Sequence, residues 1–281
     1  MIKIAPPEYQ TFCKYIYDIC GISLAPNQAY LIETRLSQLM KKLDLKSFTE
    51  LLSRSKADRS RKLEQEIIDA ITTNETYFFR DKNPFDLLQF KILPDLIDQR
   101  TGPSGNVRPI KIWSAACSFG QEVYSIAIIL KELLGDELYS KYRFSILGTD
   151  ISDEAVARAS YGFYNQFEVE RGLPPNKLRL YFDRHDKGWR IKDELRALVM
   201  FRKQNLFSSF AALGRFDIIF CRNVAIYFSP ADKIKLYERI AAALAPDGYL
   251  LIGAQESLTG ITNLFEPKRY LRSIYYQLVQ K

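Results

Sequence analysis

Three strand-like runs in this chain break off into residues that can do chemistry. The sharpest is FDIIFCRNVAIYF at 216–228, an apolar run that stops at Cys221-Arg222-Asn223 and resumes with Tyr227-Phe228. A buried strand does not normally run straight into a guanidinium and an amide, so this end is expected to open onto a site. In an open α/β sheet, ligands bind outside the carboxyl ends of the strands, which is where Arg222, Asn223 and Tyr227 are placed. The run IKIWSAA at 110–116 leads into Cys117-Ser118-Phe119-Gly120-Gln121-Glu122. Small residues at a strand end let a ligand approach the main chain. The helix that follows presents free N–H groups and the positive end of its dipole. The spaced glycines of a dinucleotide loop are missing, so a pyrophosphate is not the expected ligand. Glu122 can accept hydrogen bonds from a ligand ammonium, or simply serve the helix dipole.

The third run, FSILGTD at 144–150, ends in Asp150. An acid near this place binds ribose hydroxyls in such folds. It can also cap the next helix, although Ser152 can fill that role. Asn205-Leu206 precedes the 216–221 run. There an amide can pair with an adenine edge and a Leu can cover the ring. TTNETYFFR at 72–80 sets Asn74, Thr76 and Arg80 beside the aromatic Tyr77-Phe78-Phe79. Its aromatics can pack two domains together while its polar residues face a ligand.

The elements that must position these residues fall into two sets. The first 70 or so residues read as helices. Phe12, Tyr15, Ile16 and Ile19 share a face over 8–20, with Gly21 as a stop. Leu31, Arg35, Leu39 and Leu43 form a track over 27–43, with Leu36 and Met40 adjacent. Ser47 with Glu50 predicts a capping box for a third helix, and 63–71 reads as a fourth. From 83 onward the pattern changes. A helix over 85–97 and the polar loop TGPSGN precede the strand 110–116, the helix 122–134, the strand 144–150 and the helix 153–159. This alternation indicates a parallel sheet. Residues 174–202 read as a small inserted subdomain, with β-like pieces at 189–191 and 198–201 around a Lys187-Gly188 turn. The strand 216–221 and the helix 232–244 restore the sheet. GYLLIGA and SIYYQLV then close it as an antiparallel pair. The expectation is an all-α region at 1–72 followed by an α/β domain at 73–281.

Composition narrows the partners. Of 281 residues, 47% are hydrophobic and 26% charged, which is ordinary globular material. No apolar stretch approaches the roughly 20 residues of a membrane span. The N-terminus lacks a secretory layout, so a cytoplasmic protein without membrane insertion is expected. Cys13, Cys20, Cys117 and Cys221 show no metal-ligand spacing, and His185 is the single histidine. Reduced thiols and no metal site are expected. A formal charge of +7 favours an acidic partner, either nucleic acid or an acidic protein surface. Basic residues crowd 41–62, as a solvated helical face or a docking surface for an acidic helix.

Taken in order, TTNETYFFR, WSAACSFGQEVYS, LGTDIS with ASYGFY, QNL, FDIIFCRNVAIYF and LAPDGYLLIGAQES resemble the CheR-type chemoreceptor glutamate methyltransferases over nearly the whole chain. The resemblance implies a Rossmann-like S-adenosylmethionine-dependent sheet with an inserted β-subdomain, preceded by an all-α domain. It implies cofactor contacts from Asn74, Thr76, Arg80, Glu122, Asp150, Asn205, Leu206, Arg222 and Asn223. Arg80 and Tyr227 would border the methyl-transfer site, and S-adenosylhomocysteine would be the product. The implied partner is the helical cytoplasmic signalling domain of a chemoreceptor, and a monomer is expected. The loop departs from the family's Ser-Thr-Gly-Glu-Glu-Pro at Phe119, Gln121 and Val123, while Glu122 is kept. Gln255-Glu256-Ser257 stands where His-Ser-Glu is frequent. The turn at 183–188 is short, whereas members tethered to a receptor's C-terminal pentapeptide carry a longer, Gly-containing loop. Pentapeptide independence is therefore expected. A nucleic-acid methyltransferase shares the cofactor fold, but TTNETYFFR does not read as a flipped-base pocket. A non-catalytic cofactor sensor is the other alternative, and Arg80, Asp150, Asn223 and Tyr227 argue against it.

Overall fold

A computed structural model describes residues 2–102, 108–137 and 142–280. Four helices come first: α1 (Pro6–Cys20), α2 (Ala29–Lys42), α3 (Phe48–Ala57) and α4 (Lys62–Ile71). Their inner faces, including Phe12, Ile16, Leu36, Leu51 and Ile67, form one buried cluster. Each such side chain contributes about 1.5–3 kcal/mol by leaving water. In α2 the buried stripe is Ile32-Leu36-Leu39-Met40, which keeps Leu39 of the expected track with the adjacent Leu36 and Met40 and takes Ile32 in place of Leu31. Leu31 and Arg35 are only half-buried, because they face the rest of the molecule across a groove. α1 stops at Gly21, whose φ of 74° suits glycine and whose N–H donates to the Tyr17 carbonyl. A Cβ at Gly21 would lie 1.9 Å from the Phe207 ring, so the same residue permits close packing on the sheet domain. Ser47 caps α3 by accepting from the Glu50 N–H. The Glu50 carboxylate reaches the Lys46 N–H instead of closing the expected box.

The helical stretch expected at 85–97 is longer. α5 (Asn83–Leu87) passes through a π-helical turn at Leu88–Ile92 into α6 (Leu93–Arg100). Most of the TGPSGN loop lies outside the described residues. Strands β1 (Ile110–Ala115) and β2 (Phe144–Asp150) follow, with α7 (Gln121–Leu134) between them. Next come α8 (Asp153–Tyr161), β3 (Phe163–Tyr164), α9 (Gln166–Glu170), α10 (Pro175–Tyr181), β4 (Phe182–His185), β5 (Gly188–Ile191), α11 (Asp193–Arg196) and β6 (Val199–Lys203). The chain ends with β7 (Phe216–Cys221), α12 (Pro230–Ala243), β8 (Leu244–Ile252), β9 (Phe265–Tyr270) and β10 (Ser273–Leu278). Seven strands form one sheet in the order β6-β2-β1-β7-β8-β10-β9. β6, β2, β1, β7 and β8 run parallel, and β10 is antiparallel to both its neighbours. Apolar clusters cover both faces, so β1 sends Ile112 to one and Trp113 to the other. That explains why its sequence lacks polar alternation.

The inserted subdomain differs from the expectation. The piece at 198–201, assigned to the inserted subdomain, belongs to the main sheet as β6, paired with β2 from Ile146–Val199 to Asp150–Lys203. The small antiparallel sheet is instead β3-β5-β4, and it begins at Phe163. As an edge strand β6 exposes Met200, Arg202 and Lys203, so it lacks the apolar run that marked the inner strands. The closing pair, β8 and β10, is antiparallel as expected, and one more strand, β9, lies beyond β10 at the edge. β9 carries Pro267 and several charges, which an edge strand tolerates and which hid it in the sequence.

Candidate functional site

The strand order reverses between β1 and β7, since β1 leads outward to β2 and β6 before the chain returns to β7. At the carboxyl ends of these strands lies a cavity of about 920 Å³ of atom-free space, part of it open to solvent. Asp150 of β2, Arg222 and Asn223 after β7, and Asn205-Leu206 after β6 all line it. Glu122 reaches it from the first turn of α7, and Asn74, Thr76 and Arg80 from the segment after α4. Tyr227 closes one end from a single 3₁₀ turn at Ala225–Tyr227. The structure thus gathers every residue singled out from the sequence around one space, although they span 74 to 227.

It also shows what each is already doing. Arg222 is a buried strut. Its Nη1 donates to Glu122 Oε2 at 2.7 Å, and its Nη2 donates to Asp81 Oδ2 and the Arg80 carbonyl, both at 2.8 Å. The side chain is 1% exposed. These bonds hold a turn in which Phe79, Asp81 and Lys82 have φ of 53°, 66° and 39°, an unusual run for residues bearing a Cβ. Glu122 accepts from Ser114 Oγ at 2.8 Å through its other oxygen. Arg80 donates to the Glu75 carbonyl at 2.6 Å, which fixes its guanidinium at the cavity wall.

Asp150 is not the cap of α8. Ser152 takes that role, accepting from the Ala155 N–H at 3.0 Å. Asp150 accepts from the Ser118 and Ser152 N–H groups at 2.8 and 3.0 Å. Burial pushes its carboxyl above the usual range, and those N–H bonds pull the other way. Asn205 is less free than the sequence suggested. Its Oδ1 accepts from the Phe207 N–H and its Nδ2 donates to the Ile19 carbonyl, so it staples α1 to the sheet domain.

Several lining residues escaped the sequence reading. Ser118 has a buried Oγ with no protein partner. Ala116 and Ser118 adopt positive φ of 59° and 51°, which folds the loop tightly over the strand end. Ile151 directly follows the acid of β2, and an apolar residue there is a signal that could have been used. Cys20 and Ile22 come from the helical region, which roofs the cavity. Tyr17 Oη donates to Asp232 at 2.7 Å and the Ser23 N–H to the Tyr227 carbonyl at 3.1 Å. On the opposite side the Gln65 amide donates to the Ile151 carbonyl at 3.1 Å. A second cavity, about 660 Å³, shares Ile22, Thr73 and Tyr227 with the first and is lined further by Leu31 and Ile226.

Comparison with known proteins agrees with this arrangement. Residues 74–272 match the model for the SAM-binding domain of CheR methyltransferases, and residues 7–72 match its all-alpha domain. The chain belongs to the CheR methyltransferase family. Chemotaxis protein methyltransferase 1 of Vibrio cholerae is 45% identical over 278 residues, covering 99% of this chain and 98% of that protein. Chemotaxis protein methyltransferase Cher2 of Pseudomonas putida is 39% identical, covering 96% and 97%. A solved magnesium protoporphyrin IX methyltransferase from Synechocystis with bound SAM aligns at a TM-score of 0.36 and 16% identity, over 69% of this chain and 76% of that one.

As in other CheR methyltransferases, the cofactor is S-adenosylmethionine, and the residues present suit it. The cavity is partly open to solvent and lined by both charged and apolar side chains. It offers carboxylates for a cationic ligand with hydroxyls, apolar Ile151 and Leu206 for a flat base, and the unpartnered Ser118 hydroxyl. Among the described residues no cluster of metal ligands occurs, and no helix is long and apolar enough to cross a membrane.

Proposed function

We propose that this chain transfers a methyl group from S-adenosylmethionine to glutamate side chains of a chemoreceptor's helical signalling domain, as a cytoplasmic protein-glutamate O-methyltransferase. The observation that carries the reading is that Arg80 and Tyr227 both line the strand-end cavity, and that Tyr227 also lines the groove beneath the helical region. In this reading Asn74, Thr76, Arg80, Glu122, Asp150, Asn205, Leu206 and Asn223 hold the cofactor. Asp150 faces the ribose hydroxyls, Glu122 the ammonium, and Ile151 with Leu206 the base. Arg222 serves as wall and strut.

When bound, the cofactor supplies an electrophilic methyl on a sulfonium. A glutamate side chain is already a carboxylate at pH 7, so no protein base is needed. The protein's task is alignment, which can supply up to roughly 7–11 kcal/mol. The Arg80 fork suits an incoming carboxylate. It must hold that group loosely, because the carboxylate loses its charge as the bond forms. Tyr227, half-buried and shared by both cavities, orients the approach.

The exposed basic residues of α2, α3 and the turn after them support an acidic helical partner. Lys41, Lys46, Lys56 and Arg59 are all exposed, and Lys42, Arg54 and Arg61 pair with nearby acids. The β4–β5 turn is short, which supports independence from a receptor pentapeptide. The deciding experiment is incubation with methyl-labelled S-adenosylmethionine and receptor signalling fragments, with RNA as a parallel acceptor. Base-labile label on the receptor is expected. Label that resists base, or that appears only on RNA, refutes the reading.

A further inference from the structure

We propose that Glu256 is a positioning residue for the cofactor cavity, acting through the turn that carries Arg222, Asn223 and Tyr227. The inference rests on the reading that this cavity holds S-adenosylmethionine, and it deepens that reading. β7 and β8 are adjacent parallel strands that end together, Cys221 opposite Ile252. Just beyond those ends two main-chain donors converge on one carboxylate oxygen. The Asn223 N–H and the Gly253 N–H both donate to Glu256 Oε2 at 2.7 Å. Donors just past the ends of parallel strands have lost their sheet partners, and left buried they are costly. A carboxylate oxygen is a strong acceptor that can take both.

The consequence for the site is directional. Asn223 sits at φ 58°, the left-handed region, so the chain reverses sharply there. On one side of that reversal the Arg222 side chain points inward to Glu122, Asp81 and the Arg80 carbonyl. On the other, the 3₁₀ turn at Ala225–Tyr227 delivers Tyr227 to the cavity. Glu256 thus fixes the hinge from which three lining residues depart, although it does not line the cavity itself.

Two further observations indicate a built contact. Gly253 leaves room that no other residue would. A Cβ there would lie 2.4 Å from Glu256 Oε2 and 2.8 Å from Asn223 Nδ2. Glu256 Oε1 is buried with no partner, so the carboxylate is held by the two N–H bonds on its other oxygen alone. Burial pushes the Glu256 carboxyl above its usual range, while the two N–H bonds and the charges of Arg222 and Lys233 pull the other way.

The test is calorimetric binding of S-adenosylhomocysteine to the full chain, which needs no methyl acceptor. Glu256→Ala should keep its far-UV circular dichroism and bind at least about tenfold more weakly, the loss expected for charge-assisted bonds. Glu256→Gln keeps an acceptor oxygen in place and should bind within about threefold of wild type, since a neutral bond of the same geometry survives. Gly253→Ala displaces the carboxylate by a different route and should weaken binding like Glu256→Ala, which keeps the test open should the latter fail to fold. A folded Glu256→Ala protein with wild-type affinity overturns the proposal. So does a Gln variant as impaired as the Ala variant, or an unimpaired Gly253→Ala. Failure of the receptor reading is separable: wild type would then leave receptor unlabelled while these affinity shifts persisted.

Discussion

Replacing Arg222 with Met tests whether that residue holds the site together. The guanidinium is 1% exposed and makes three bonds, to Glu122, Asp81 and the Arg80 carbonyl. Methionine fills much of the same space, so the main loss is electrostatic: Glu122, 14% exposed, loses its buried cation, and so does Asp81, 29% exposed. Removing one partner of a buried pair costs about 3–5 kcal/mol. Water can reach Asp81, which places the expected loss near the low end, about 3 kcal/mol. At roughly 2–4 °C per kcal/mol for a chain of this size, the Tm should fall by about 6–12 °C. Thermal unfolding followed by circular dichroism measures that fall, and calorimetry with S-adenosylhomocysteine measures the affinity. Both should drop. Adding Glu122→Gln removes the stranded charge, so the double variant should recover part of the lost stability while its affinity stays low. A strut predicts this non-additivity, because the two residues share one contact. An Arg222→Met protein that melts within about 1 °C of wild type yet binds weakly would falsify the strut, since surface-like substitutions behave that way.

Arg80→Ala should lower receptor methylation by roughly 10²-fold through lost alignment and weaken S-adenosylhomocysteine binding, with the fold unchanged; near-normal turnover in single-turnover assays sinks the role. Burial raises the Asp150 carboxyl above its ordinary 3.8, so acidification protonates it earlier than a free aspartate and removes acceptor capacity for ribose hydroxyls. S-adenosylhomocysteine affinity should therefore weaken as pH falls through that raised value. Asp150→Asn should bind roughly 10–100-fold more weakly and lose this pH dependence, and parallel profiles for the two proteins would count against the assignment. Receptor methylation should slow as salt rises, because exposed charges are screened beyond about 10 Å at 0.1 M; a flat salt profile refutes electrostatic docking. A receptor's C-terminal pentapeptide should give no calorimetric signal with this chain, and tight binding would overturn independence from it.

Local patterns carried most of the architecture. The inner strands β1, β2 and β7 are buried on both faces over most of their length, so each is mostly apolar after its first two residues, and each breaks off where the sheet meets the cavity. The helical region was legible because its stripes recur with the helical period. The errors lie where burial is one-sided. β6 and β9 are edge strands whose exposed charges and proline dilute the signal, and in α2 Ile32 takes the buried place expected for Leu31 because two candidate faces compete there.

The sequence by itself determined which residues end the strands, since a strand's end is a local event. It determined the family too, through motifs in fixed order. Only the tertiary structure decided which of those residues are free to meet a ligand and which already serve the fold. Arg222 looked like the chemical centre of its motif, yet its charge is neutralised by Glu122 and Asp81, about 100 and 141 positions away. Asn205, a candidate base reader, also staples α1 across 186 positions through its amide. Glu256 drew attention only as a departure from a family pattern, and it proves to clamp two strand ends. Hydrogen bonds and ion pairs form between groups that folding brings together, and their sequence separation carries no period to read. Composition shows which groups must find partners, and the packed structure alone shows which partners they find.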